Sequence, residues 1–137
     1  MRFSSNLGVP TGQLELRNYS GFPDELYDLW RYSDTIELFR ELLYGQWGLT
    51  IHGPRWLKEQ TKSFNSVFPN RLEIDDYIIG EFLGDTDKVV VPGKSVSTVT
   101  ISIASPFDPR SEYPVVARSL EKFLTRFITS YGSKYWE

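Results

Sequence analysis

Three successive β-strand patterns in the middle of the chain constrain the fold more than any other feature of the sequence. Residues 77–83 are apolar on both faces, as in a central strand, and residues 88–91 follow after a turn-forming Gly-Asp-Thr-Asp segment. Residues 99–103 alternate between apolar and hydroxyl side chains, which predicts a half-buried antiparallel strand. This strand is a candidate exposed edge at which two copies pair, so monomer and homodimer both stay open. Residues 113–117 predict a last short strand, which their proline places at a sheet edge.

Helical patterns surround these strands. Residues 22–30 place apolar side chains at i, i+4, i+7 and i+8, with proline and two acids suited to a first turn. Residues 33–45 predict a second helix, with Asp34 and Glu37 spaced as in a capping box and a final glycine; the alternative is that residues 42–44 open a strand. Residues 54–68 begin with proline and keep Leu and Phe on one face, which predicts a third helix.

The last helical pattern is the clearest. Ser119 is a suitable cap, and Gly132 suits the end of the helix. The predicted buried stripe consists of Leu120, Phe123, Leu124, Phe127 and Ile128. Helices and strands in this order predict an α+β fold with a mixed or antiparallel β-sheet packed against helices. The whole chain, 137 residues, fits a single domain with its core over about residues 20–137.

Composition excludes several classes of protein. The chain has no cysteine, which excludes disulfides, thiolate metal sites and cysteine nucleophiles. Neither a signal-peptide pattern nor a membrane-length apolar run occurs, so we expect a cytoplasmic protein without membrane contact. A formal net charge of −3 argues against direct binding of nucleic acid.

The charged and polar residues give little sign of catalysis. Strand periodicity places Glu81 on an apolar face with Tyr77, Ile79 and Leu83, where a carboxylate is either a ligand or acid–base group or is held by structural partners or water. His52, the single histidine, is interpreted as a filler, because no nucleophile-elbow motif accompanies it. We therefore predict a protein without catalytic residues, bound metal or cofactor.

The order of several motifs resembles the SMI1/KNR4 domain, also called the SUKH superfamily. The segments that carry the resemblance are residues 22–27 (FPDELY), 45–49 (GQWGL), 79–85 (IGEFLGD), 117–124 (ARSLEKFL) and 132–137 (GSKYWE). The chain departs from the usual pattern between Trp30 and Tyr44, where an expected Asn-Gly or Asp-Gly turn is missing.

This resemblance implies a non-enzymatic, protein-binding role. Bacterial members are typically cytosolic immunity proteins that neutralise a cognate polymorphic or contact-dependent toxin, often a nuclease, by direct binding. The leading prediction is this bacterial role, and the alternatives are a regulatory or scaffold module and a ligand-binding protein or enzyme that uses Glu81. Acidic groups complement a basic toxin surface, so the candidate partner-binding residues are Asp75, Asp76, Glu81, Asp85 and Asp87.

Overall fold

A seven-stranded antiparallel sheet forms the centre of the protein, and its strands lie side by side in the order in which they occur along the chain. The computed structural model describes residues 3–8, 10, 12, 22–41, 47–92 and 100–137. In these residues the strands are β1 (Phe3–Leu7), β2 (Ile36–Glu41), β3 (Leu49–Ile51), β4 (Asp76–Phe82), β5 (Lys88–Pro92), β6 (Ile101–Ala104) and β7 (Val115–Ala117). The three α-helices described are α1 (Asp24–Tyr32), α2 (Pro54–Val67) and α3 (Leu120–Thr129), with a 3-10 helix at Arg110–Glu112. The prediction of a single α+β domain is confirmed, and every strand pair is antiparallel.

Two hydrophobic clusters hold the helices on the sheet. The larger cluster joins α1 and α3 to the sheet through Leu26, Trp30, Phe123 and Phe127, all nearly inaccessible to solvent. The smaller cluster packs α2 on β4 to β6, and its buried members are Phe64, Ile78, Val90, Ala104 and Tyr113. Burial of apolar side chains at about 25 cal/mol per Å² therefore fixes the positions of all three helices.

The predicted first, third and last helices are confirmed. Pro54 is the first residue of α2, and the Thr61 hydroxyl accepts a hydrogen bond from the Ile78 amide at 2.9 Å, where β3 no longer pairs with β4. The Ser119 hydroxyl caps α3 by accepting a bond from the Lys122 amide at 3.0 Å. One detail of the predicted α3 stripe is wrong, because Ile128 is 51% exposed.

The predicted second helix is wrong. Residues 36–41 form β2, which pairs with β1 on one side and with β3 on the other. The register between β1 and β2 shifts next to Phe39, whose φ is 54°, so Leu38 and Phe39 both pack on the larger cluster. Because of this bulge, Ile36 and Phe39 lie on the same face of the strand although they are three residues apart. Apolar residues with this spacing are also typical of a helix. Residues 42–45, the rest of that prediction, lie outside the described residues.

The predicted edge strand at residues 99–103 is also corrected. Val99 lies outside the described residues and Thr100 precedes the strand, whereas residues 101–103 belong to β6, which pairs with β5 and β7 and is buried throughout. The sheet edges are β1 and β7, so the predicted edge position of the last short strand is confirmed. On β7 the Val116 carbonyl accepts bonds from the Tyr135 hydroxyl at 2.8 Å and from Arg126, which leaves it unavailable to a further strand.

Candidate protein-binding surface

The five predicted partner-binding acids do not form one patch. Asp75 and Asp76 lie at the start of β4, whereas Asp85 and Asp87 lie in the turn after its end. At about 3.3 Å per residue, the length of β4 separates these pairs by about 20 Å. The structure therefore divides the candidates between the two ends of one strand, with Glu81 near the second end.

Asp85 and Asp87 are paired within the protein. Lys134, whose side chain is only 9% exposed, donates from Nζ to Asp85 and to Asp87 Oδ2 at 2.9 Å. Burial is the largest single effect on both groups and opposes their charges. The hydrogen bonds and opposite charges around them outweigh it together, so the pKa of Lys134 is raised and that of Asp85 is lowered. These acids join the C-terminal segment to the turn between β4 and β5.

Asp76 is a buried structural carboxylate. It is 3% exposed and accepts two bonds from Arg110, from Nε at 2.6 Å and from the terminal nitrogen at 3.3 Å. It also accepts a hydrogen bond from the backbone amide of Glu73 at 2.8 Å. The hydrogen bond to Asp76 is the main reason that the pKa of Arg110 is raised.

Glu81 does not lie on the apolar face that strand periodicity predicts. A register shift between Ile78 and Gly80 offsets the alternation along β4, and Glu81 is placed opposite Thr50 on β3 and Lys88 on β5. Its side chain is 40% exposed, and Lys88 Nζ donates to Glu81 Oε2 at 3.1 Å. Of the two interpretations of Glu81, this geometry favours the one with structural partners and water.

His52 lies beneath this ion pair, a neighbour that the sequence did not indicate. Its Nε2 is buried without a hydrogen-bond partner and lies 3.7 Å from Glu81 Oε1. Its backbone carbonyl accepts a bond from the Trp30 indole at 3.1 Å. Burial lowers the pKa of His52, Glu81 raises it less strongly, and Lys88 lowers it further.

A second arrangement of acids is found where two loop regions meet at the end of the sheet that contains Asp75 and Asp76. We call residues 68–76 and 105–113 together the acidic end. Arg71 Nε donates to the Pro106 carbonyl at 3.1 Å, and the Tyr113 hydroxyl donates to the Arg71 carbonyl at 2.7 Å. With the pair between Asp76 and Arg110, these bonds brace the two regions against each other.

The acidic end combines charge with exposed apolar side chains. Ile74 is 93% exposed and Phe107 is 74% exposed. Two arginines, Arg71 and Arg110, oppose five acids, which gives a charge of −3, equal to the formal charge of the whole chain. The five acids are Glu73, Asp75, Asp76, Asp108 and Glu112. A braced, charged surface with protruding apolar groups has the composition of a protein-docking surface.

Sequence reasoning found Asp75 and Asp76 but missed the rest of the acidic end. Ile74 and Phe107 are 33 positions apart, and no periodic pattern includes either of them. The local signal was Phe107 within Ser-Pro-Phe-Asp-Pro, a large aromatic residue among turn-forming residues. Such a residue has no neighbouring strand or helix to cover it, and this favours exposure.

Comparisons with known proteins add no assignment. No family model, curated protein or solved structure matches the chain. Among the helices described, none has the length and hydropathy needed to cross a membrane. Within the described ranges there is also no group of three or more histidine, aspartate or glutamate side chains arranged to hold a metal ion.

Proposed function

We propose that the protein is an immunity-type member of the SMI1/KNR4 (SUKH) superfamily, which neutralises a cognate toxin by binding it directly. The observation that carries this proposal is the acidic end, which combines a local net charge of −3 with the exposed side chains of Ile74 and Phe107. The resemblance of the sequence motifs to this superfamily and the α+β fold support the same role.

The charge of the acidic end favours a basic partner, such as the substrate-binding face of a nuclease toxin. Complementary charge accelerates association and selects between partners, whereas desolvated apolar and aromatic groups supply most of the affinity. An interface of standard size buries about 800 Å² on each partner. We therefore expect Ile74 and Phe107 to enter apolar pockets on the toxin, with Asp75, Asp108 and Glu112 at the rim.

Four of the five predicted contact residues take structural roles in the proposal. Asp76 holds Arg110, and Asp85 and Asp87 hold Lys134, so their removal acts on the fold before it acts on binding. Glu81 is bound to Lys88 and lies about 16 Å from the acidic end along β4. Of the five predicted contacts, Asp75 is the one that the proposal keeps as a direct contact.

Co-expression tests the proposal. The gene is expressed together with each toxin-like open reading frame found beside it, and growth and co-purification are measured. We expect one neighbouring product to be neutralised and bound, with binding weakened about tenfold or more by the double substitution Ile74→Ser and Phe107→Ser.

A matched control uses exposed apolar residues elsewhere. Leu7 is 69% exposed and Tyr131 is 86% exposed, so the double substitution Leu7→Ser and Tyr131→Ser changes similar chemistry away from the acidic end. The control protein is expected to bind as the natural chain does. Failure to bind or neutralise any neighbouring product contradicts the immunity role, whereas equal binding by both double variants contradicts the assigned surface.

A further inference from the structure

A groove between α1 and α3 lies apart from the acidic end. Its volume is about 500 Å³, within the range of small-molecule pockets, although it is open to solvent. Its apolar lining comes from Leu29 and Tyr32 on α1 and from Leu120 and Leu124 on α3. Tyr32 is 79% exposed, and Ile128, one turn beyond Leu124, is 51% exposed, so the apolar stripe of α3 continues past the groove.

The charged groups that line the groove are all acidic. They are Glu25, Asp28 and Glu121, and no basic side chain lines it among the described residues. Glu25 is held in place because its carboxylate accepts hydrogen bonds from the backbone amides of Leu120 at 3.1 Å and Glu121 at 3.3 Å. Asp28 pairs with Arg31, but both side chains are more than half exposed, so this pair is weak and open to exchange.

The backbone around the groove favours a helical occupant. The first amides of α3 are already bound by Glu25 and by Ser119, so they offer no hydrogen bonds to an extended peptide. A helix satisfies its own backbone and needs only an apolar stripe to pack between two other helices. Positive side chains beside that stripe would meet the three carboxylates.

From this geometry we propose that the α1–α3 groove binds a basic amphipathic helix of a partner protein. This goes beyond the proposed toxin-binding role of the acidic end, because it assigns a second docking surface with its own occupant. Leu29 and Leu124 contact the apolar stripe of the incoming helix, while Asp28 and Glu121 contact its lysine or arginine side chains.

Two synthetic peptides test the proposal without any change to the protein. Each is a helix of about 14 residues with leucine at i, i+3, i+4 and i+7; the first carries lysine at its polar positions and the second carries glutamate. During titration with the lysine peptide, the NMR methyl signals of Leu29 and Leu124 are expected to shift until the groove is saturated. The glutamate peptide is expected to bind about tenfold more weakly or less.

Charge reversal then locates the site. The double substitution Asp28→Lys and Glu121→Lys is expected to weaken binding of the lysine peptide by about tenfold or more. A matched double variant, Glu59→Lys on α2 and Asp108→Lys at the acidic end, is expected to leave it unchanged. Circular dichroism checks that both variants keep the fold.

Three results would overturn the proposal. The first is that the lysine peptide shifts signals of Ile74 instead of Leu29 and Leu124, since this places the peptide at the acidic end. The second is equal binding of the two peptides, and the third is unchanged binding by the Asp28→Lys and Glu121→Lys protein. None of these results depends on whether a toxin is found for the acidic end.

Discussion

At the scale of single residues, the environment of His52 decides its charge. The ring is buried under Glu81 and Lys88, and its Nε2 has no hydrogen-bond partner. Burial is the largest effect on its pKa and lowers it from the ordinary value of about 6.5. The folded protein therefore favours the neutral imidazole more strongly than the unfolded chain does.

This shift predicts a pH-dependent stability. As pH falls below about 6.5, the unfolded chain takes up the proton first, so the free energy of unfolding is full above this pH and decreases below it. The chain has a single histidine, so a decrease between about pH 7 and 5.5 is assigned to it. Urea denaturation across this range is expected to show the decrease in the natural protein and a smaller one in His52→Gln.

An NMR titration of the imidazole supplies the control. Because Glu81 raises the pKa of His52 and Lys88 lowers it, Glu81→Gln should move the titration to lower pH and Lys88→Met to higher pH. A folded-state midpoint at or above the value for the unfolded chain would contradict the role assigned to burial.

At the scale of the elements, two bulges explain where strand and helix periodicities mislead. The bulge beside Phe39 turns two consecutive side chains of β2 to the larger cluster, which imitates helical spacing. The bulge between Ile78 and Gly80 moves Glu81 away from the apolar face. Each inserts one residue into a two-residue repeat, and such an insertion leaves no fixed signature in the sequence.

Other elements were predictable because their signals are local. Pro54 at the start of α2 and the Ser119 cap of α3 depend on neighbouring backbone groups alone. The acidic end was only half predictable, because its two segments are joined by hydrogen bonds of Arg71 with Pro106 and Tyr113, which lie far from it in the chain. No short-range pattern encodes such contacts.

The pair between Asp76 and Arg110 predicts a large loss of stability when it is broken. Asp76→Ala leaves the Arg110 charge, 24% exposed, without its partner, and we expect the free energy of unfolding to fall by about 3 kcal/mol. Asp28→Ala breaks the exposed pair with Arg31 and is expected to cost less than about 1 kcal/mol. Chemical denaturation of the two variants measures both losses. Equal losses would contradict the larger contribution to stability that we assign to the buried pair.

At the scale of the whole molecule, β4 joins the two hydrophobic clusters. Ile78 belongs to the smaller cluster and Ile79, the next residue, to the larger one. Loss of either cluster therefore disturbs the strand on which the other is built. We expect the clusters to unfold together, as in most single domains of this size.

Core truncation tests this cooperativity. Phe123→Ala in the larger cluster and Phe64→Ala in the smaller one should each lower the free energy of unfolding by about 3–5 kcal/mol. Tryptophan fluorescence and far-UV circular dichroism should report the same midpoint in each variant, and Val67→Ala, at an exposed position, should change little. Separate midpoints in Phe64→Ala would indicate that the smaller cluster unfolds independently.

The sequence by itself determined the α+β class, the start of α2 at Pro54, the cap of α3, the antiparallel pairing of β4 with β5 and the core role of Trp30. These features follow from periodicity, turn chemistry and capping, which act over a few residues. Only the tertiary structure decided that residues 36–41 are a strand, that Glu81 faces Lys88, and which acids are paired. The physical reason is that bulges and ion pairs depend on residues distant in the chain, and burial against these partners outweighs local preference.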